Sequence, residues 1–323
     1  MKKEDNKTKN LLKEIGVNFF KEVTSMKETK VNILPTHSYS LNRALGLGGF
    51  PEGKIIEIFG SDSSGKSTLA LQTLAHTQKQ KKTSVYLDLE NTLNPEWAVK
   101  LGVDIDNLLI ARPENGEKAF DLINKLLETK EVDLIIVDSV TALVPVYEFE
   151  SRIEDQSMGL HARLMSKGLR IMQSLMIGNK TTVIFINQLR EKIGANAYMP
   201  ATVTTGGRAL RYASCVRLEV KRTDSIKDAN GRVLGFETKC IVVKNKYGVP
   251  LTTAKTFLYF DTGFDVYAEV INELIESKKI LKKGSWLELD GKNLAQGMTQ
   301  LRNKMMKDPA LAETLKKLAF PED

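Results

Sequence analysis

Between residues 54 and 187 the chain alternates short, almost wholly apolar runs with longer segments whose apolar residues recur every three to four positions. The runs KIIEIFG (54–60), SVYLDL (84–89), NLLIA (107–111), DLIIVD (133–138) and TTVIFIN (181–187) predict strands. Helices are predicted at 64–78, 116–129 and 158–176, where the helical period replaces the continuous run. Strands alternating with helices imply an α/β fold with a mainly parallel central sheet. A short helix follows at 206–213. Two strands, CVRLEVKR (215–222) and FETKCIVVKN (236–245), are joined by the polar stretch 223–235 and predict a hairpin. The helix VYAEVINELIESKKI (266–280) opens a small C-terminal α+β domain. At the other end, Leu11, Leu12, Ile15 and Phe19 form one apolar stripe on a predicted helix over 1–20, a stripe that needs a covering surface. The pattern divides the chain into an N-terminal segment (1–33), a core (34–264) and the C-terminal domain (265–323).

One stretch fits neither period. GANAYMPATVTTGG (194–207) carries no charge in a chain that is 27% charged, and it follows directly on an apolar strand. A long loop of this kind inside a compact domain is commonly functional.

Charge sharpens the picture because it is uneven. The net charge of +7 conceals an acidic stretch at 31–150 (11 basic, 17 acidic residues) and a basic one at 151–264 (18 basic, 8 acidic). The basic quarter is either the footprint of a polyanion or a solvated surface. No apolar run approaches the roughly 18 residues of a membrane span, and the N-terminus lacks an apolar signal region, so a cytoplasmic protein is expected. Cys215 and Cys240 are too few for a disulfide framework and suit a reducing compartment, as core residues. His37, His76 and His161 have no metal-ligand spacing.

The strongest local signal is GSDSSGKST, running through Gly60, Ser61, Asp62, Ser63, Ser64, Gly65, Lys66, Ser67 and Thr68. It has the phosphate-loop spacing, follows a strand and opens a helix. Glycines let consecutive backbone N–H groups face phosphate oxygens, Lys66 supplies a point charge, and Ser67 can ligate Mg²⁺. ATP and Mg²⁺ are therefore the expected cofactors. Asp138 ends an apolar strand at the edge where such sheets place their ligands, and is the expected Mg²⁺-organising carboxylate. Glu90, similarly placed after SVYLDL, is the candidate base for the attacking water, with Asp88 as its alternative. Trp97 could stack on adenine or pack in the core.

These words and others, including LGVDIDNLL, VDLIIVDSVTALVP, SMGLHARLMS, FINQLREKIG, TTGGRAL and VVKNK, closely resemble the RecA recombinase family over about residues 34–284. The resemblance implies a P-loop NTPase with a RecA-like core and an N-terminal helix that packs on the next subunit of a helical homo-oligomeric filament. It implies a DNA-dependent ATPase that binds single-stranded and double-stranded DNA and catalyses pairing and strand exchange in recombination and repair. A LexA-type repressor is an implied further partner, through stimulated self-cleavage. By position, Glu90 matches the catalytic glutamate, Gln188 the γ-phosphate sensor, and Lys244 and Lys246 the lysines that reach a neighbour's ATP. As an i, i+2 pair on a strand, these two lysines would point to one side; defence of an edge strand is the alternative.

The resemblance places two DNA-binding loops at 148–158, with Met158, and at 189–205. Arg163 and Arg170, at i, i+7, share one helix face toward a phosphate track. Arg190, Lys192, Arg208 and Arg211 flank the charge-free run to hold phosphates, while Tyr198 and Met199 face bases and Gly206 and Gly207 close the loop. The chain departs from the family at Asn94-Pro95-Glu96-Trp97, in the more polar first loop, and in its ending LAFPED, which has no long acidic tail. Such divergence suits a phage-encoded or distant member. The resemblance leaves two alternatives on the same core or ligands: a ring-forming helicase motor, and a regulatory module that presents a surface to a repressor.

Overall fold

A strand buried on both faces is apolar at most positions, and this protein's central strands divide alternate residues between two cores, buried polar residues such as Glu57 and Asn187 excepted. The computed structural model describes residues 31–152, 159–191, 202–228 and 230–321. The predicted N-terminal helix lies outside them. A short ribbon pairs β1 (Ile33–Leu34) with β2 (Phe50–Pro51) around helix α1 (Tyr39–Leu45). There follow β3 (Ile55–Gly60), α2 (Lys66–Lys79), β4 (Ser84–Asp88), α3 (Pro95–Lys100), β5 (Leu109–Ala111), α4 (Gly116–Thr129) and β6 (Leu134–Asp138). Next come a 3₁₀ turn (Val140–Ala142), α5 (Val146–Glu150), α6 (Leu160–Leu175), β7 (Thr182–Glu191), β8 (Thr202–Thr204) and α7 (Ala209–Ala213). The long hairpin is β9 (Val216–Lys227) with β10 (Val233–Asn245), and β11 (Thr253–Tyr259) and β12 (Gly263–Phe264) extend it.

The main sheet has the order β12-β11-β10-β9-β3-β7-β6-β4-β5, with β8 paired to β7. Strands β9, β3, β7, β6, β4 and β5 run parallel, and the β9–β12 side is antiparallel. On one face Ile56, Ile58, Tyr86 and Ile136 pack with α1 and α2; on the other Ile55, Val85, Leu87 and Val137 pack with α4 and α6. Helices α4 and α6 meet closely at Gly168, where a Cβ would lie 2.6 Å from the Phe120 ring. The fold is the expected α/β class with its mainly parallel sheet.

Two boundaries differ from the sequence expectation. The polar stretch 223–235 is mostly strand, leaving a short turn in which the Asp228 carboxylate accepts from the backbone N–H of Asn230 and Arg232, both at 2.9 Å. Ladder hydrogen bonds and the Arg222 guanidinium 3.3 Å over the Phe236 ring hold strand residues that carry no apolar pattern. Strand β7 likewise runs on through residues 188–191 because β8 pairs with it, so the second loop leaves the sheet as a hairpin stem.

The C-terminal elements are α8 (Val266–Glu276), a three-stranded sheet of β13 (Leu281–Lys283), β14 (Trp286–Leu289) and β15 (Lys292–Gln296), α9 (Gly297–Lys307) and α10 (Pro309–Ala319). They share a hydrophobic cluster built on Ile271, Leu274, Leu301 and Leu315. Ile33–Asp323 forms one compact unit. Polar contacts join its parts: Arg302 Nε donates to Asp265 Oδ2 at 2.7 Å, and Arg43 forms a two-pronged pair with Glu273 at 2.8 and 2.6 Å. Fully buried Glu269 accepts from the Ser40 backbone N–H at 3.1 Å, while its Oε1 has no partner.

Burial pushes the Glu269 carboxyl up to about 8, against a smaller opposing pull from hydrogen bonds with Ser38 and Ser40. Between its ordinary carboxylate value and 8, the folded protein holds a proton that the unfolded chain has lost, so this group's contribution to stability falls as pH rises across that window. Glu269→Gln, which mimics the protonated form, is expected to flatten the fall between pH 5 and 8. Chemical denaturation at several pH values measures it.

Candidate functional site

The carboxyl ends of β3, β4, β6 and β7 bring the predicted nucleotide residues to one edge of the sheet. The loop from Gly60 to Thr68 turns tightly. Ser63 (φ +54°) and Gly65 (φ +99°) are left-handed, and a Cβ on Gly65 would lie 2.4 Å from Leu258 Cδ1. Ser61, Asp62 and Ser63 are exposed, Ser64 is buried with an Oγ that has no partner, and Ser67 and Thr68 are half-buried at the start of α2. Lys66 is buried, its Nζ folded back onto the carbonyls of Ser61 (2.7 Å) and Gly60 (3.2 Å). Burial lowers its pKa, and the nearby carboxylates of Asp62, Asp138 and Glu90 oppose that shift.

Asp138 accepts from the Tyr86 hydroxyl at 2.6 Å and is bonded to Ser67. Burial raises its pKa, while those two hydrogen bonds lower it. Exposed Glu90 accepts from the Ser139 hydroxyl, and from Gln188 Nε2 at 3.3 Å. Asp88, the alternative base, is committed elsewhere: it accepts from the Thr92 backbone N–H (3.0 Å) and from Arg112 Nε (3.2 Å). The structure thus joins Lys66, Ser67, Glu90, Asp138 and Gln188 around the loop. Trp97 is half-buried against the core beside α2, and Asn94 caps α3 by accepting from the Trp97 N–H at 3.0 Å.

These residues fit a nucleotide with Mg²⁺. The loop offers a glycine cradle, a lysine, an unpartnered buried hydroxyl and a Ser67–Asp138 pair, and Mg²⁺ needs few protein ligands because it keeps several waters. Among the described residues no cluster of three or more His, Cys, Asp or Glu suggests another metal.

Residues 3–265 match the RecA N-terminal domain family. Protein RecA of Malacoplasma penetrans is 45% identical over 312 residues, covering 96% of this chain and 94% of that protein. Protein RecA of Mycoplasma genitalium is 41% identical over 99% of this chain and 94% of its own length, and that of Fusobacterium nucleatum 41% over 95% and 81%. The chain belongs to the RecA family. Its relatives are bacterial proteins, and the family assignment covers the basic quarter as well as the P-loop.

Of the residues predicted to meet DNA, those described lie on α6, on β7 and at α7. Arg163 and Arg170 are exposed on one face of α6, with Lys167 between them at i, i+4 and i, i+3. The same spacing rule identifies Lys167, which sequence reasoning passed over. Arg190 is exposed on β7, and Arg208 and Arg211 are exposed at α7. Gly206 (φ +81°) and Gly207 (φ +74°) turn the chain against α6, where a Cβ on Gly206 would come within 3.1 Å of Val140. Met158, Lys192, Tyr198 and Met199 lie outside the described residues. Tyr147 and Phe149, on α5 where the first loop begins, are largely exposed.

Lys244 and Lys246 lie away from their own P-loop. Asn245 is in register with Val216, and Val216 with Ile56, whereas Gly60 is four residues further along β3. That separation is roughly 13 Å of strand. Lys244 Nζ donates to the carbonyls of Arg211 (2.7 Å) and Tyr212 (3.1 Å) at the end of α7, and Lys246 stands exposed past the strand.

Beneath the site lies a buried polar cluster that no motif announces. Asn187 Nδ2 donates to Glu57 Oε1 at 2.9 Å and to the Thr205 carbonyl at 3.1 Å. Its Oδ1 accepts from the Gln188 N–H at 2.9 Å and from the Thr205 hydroxyl. Arg217 completes the pairing of Glu57 and lies 4.5 Å over the Phe59 ring. Asn187→Ala leaves Glu57 and Thr205 short of partners and is expected to cost about 1–3 kcal/mol. Asn187→Asp, which sets a second carboxylate against Glu57, is expected to cost more, as read by denaturant unfolding.

Proposed function

We propose that this chain is a DNA-dependent ATPase that assembles on single-stranded DNA as a helical filament and drives homologous pairing and strand exchange. The observation that carries the reading is the Gln188–Glu90 hydrogen bond. It ties the carboxylate best placed to receive a proton to the first residues of the second loop, whose far end, Thr205, is bonded to Asn187.

Backbone N–H groups of the loop and Lys66 hold the phosphates of ATP, for which Lys66 releases the carbonyls it now contacts. Ser67 and Asp138 hold Mg²⁺, which when bound offsets charge on the phosphate oxygens. Glu90 orients the attacking water and takes its proton as the water oxygen bonds to the γ-phosphorus and ADP leaves. Gln188 contacts the γ-phosphate, so nucleotide state reaches the loop through a residue already fixed to β3 by register. Trp97 flanks the adenine from α3.

Lys246, with Lys244 behind it, faces the nucleotide of the next subunit, and the N-terminal segment 1–33 covers that subunit. Arg163, Lys167, Arg170, Arg190, Arg208 and Arg211 meet phosphates, while the uncharged loop residues sit among bases without reading their edges. Stimulation of a LexA-type repressor's self-cleavage would be a property of the assembled filament.

Lys66→Ala is expected to reduce ATP hydrolysis to background with or without single-stranded DNA, whereas the unaltered chain is stimulated by it. A rate indifferent to DNA would overturn the assignment. Gln188→Ala is expected to bind ATP normally but to lose the rise in DNA affinity that a non-hydrolysable analogue produces, as measured by fluorescence anisotropy.

A further inference from the structure

Strand β4 sets a second acid against Asp138. The residue in register with Asp138 is Asp88, also buried, and side chains paired across neighbouring parallel strands stand on one face of the sheet. Two carboxylates so placed repel each other. Asp88 is committed to Arg112 and the Thr92 N–H, and the donor that β4 offers Asp138 comes instead from Tyr86, two residues back on the same face. Tyr86 is in register with Ile136, so its phenol runs along the strands by one pair of residues, roughly 6.5 Å, to reach the acid. That reach suits a tyrosine and no shorter hydroxyl.

The contact is enclosed on both sides. Tyr86 is 2% and Asp138 7% exposed, and the hydroxyl lies 2.6 Å from Asp138 Oδ2. The ring belongs to the cluster that includes Leu69 and Ala70 of α2 and Ile136 of β6. A phenol has one O–H, and here that proton has one acceptor. Burial, then the carboxylates of Asp138, Asp88 and Glu90, push the Tyr86 pKa up, so the hydroxyl keeps its proton and remains a donor. An ionised carboxylate accepts at about four sites on its two oxygens. Tyr86 occupies one of them from β4 and Ser67 another from the start of α2, which holds the group between two fixed hydroxyls and leaves acceptor capacity free.

We infer that Tyr86 is a positioning residue for Mg²⁺, its hydroxyl holding Asp138 in the orientation in which the acid and Ser67 act together at the nucleotide phosphates. The inference rests on the reading of this edge of the sheet as an ATP and Mg²⁺ site. Tyr86 acts through Asp138 alone, as the hydrogen-bonded partners behind metal ligands do when they fix a ligand's direction.

Tyr86→Phe keeps the ring and removes only the hydroxyl. In the full-length chain, the affinity for a fluorescent non-hydrolysable ATP analogue is measured by anisotropy in EDTA and in saturating Mg²⁺. Tyr86→Phe is expected to bind within about twofold of the unaltered chain in EDTA, and to lose about tenfold or more of the gain in affinity that Mg²⁺ produces. Ile136→Val thins the same packing without touching a hydroxyl and is expected to leave that gain unchanged. Melting curves without nucleotide confirm that each variant is folded. An undiminished gain in Tyr86→Phe overturns the inference. So does an affinity that falls equally in EDTA and in Mg²⁺, or an equal loss from Ile136→Val, because each makes the role of Tyr86 one of packing. Failure of the nucleotide reading itself appears separately, as an unaltered chain whose analogue binding is indifferent to Mg²⁺.

Discussion

A carboxylate sealed inside a sheet must be paired, and the buried Glu57 of this protein sets much of what surrounds it. Its two oxygens are divided between Arg217 on β9 and Asn187 on β7, so the three adjacent central strands are locked in one register by a polar contact as well as by their ladders. Removing the Arg217 partner of this ion pair leaves an uncompensated charge, at a cost of about 3–5 kcal/mol. Asn187 has spent every polar atom: two donor contacts go to Glu57 and Thr205, and its oxygen receives Gln188 and Thr205. The strand that carries the P-loop, the residue beside Glu90 and the returning end of the second loop therefore meet at one rigid point.

The direction of β3 organises the rest. Its carboxyl end delivers Gly60 and the glycine cradle; its amino end delivers Lys54 and, through β9 and β10, Lys246. A parallel sheet keeps these edges apart, so the phosphate loop stands on one edge and Lys54 and Lys246 on the other.

Much of this was legible in the chain. The five core strands and three long helices were readable because both-face burial forces continuous apolar runs and one-face burial forces the helical period. Helix α4 begins and ends at the predicted residues, with Asn115 as its cap. Among the elements that escaped, α1, α3, α5 and β8 are short or half-exposed, and their patterns are set by what they pack on; β11 escaped although most of it is buried, and β13, β14, β15, α9 and α10 were read only as parts of a small C-terminal domain. Asp88 and Glu90 show the same limit at a site. Both are acids at the end of one strand, and tertiary contacts separate them: Asp88 is buried on Arg112 and Thr92, while Glu90 is exposed beside Ser139 and Gln188.

By itself the sequence determined the phosphate loop, the strand-end carboxylates, the basic quarter and the family, because each rests on residue type at fixed local spacing. Tertiary structure alone decided which distant side chains share a charge. Glu57, Asn187, Thr205 and Arg217 are spread over 161 residues. No local spacing encodes such pairings, since strand order and register, fixed by the packing of both sheet faces, are what bring them within reach of one another.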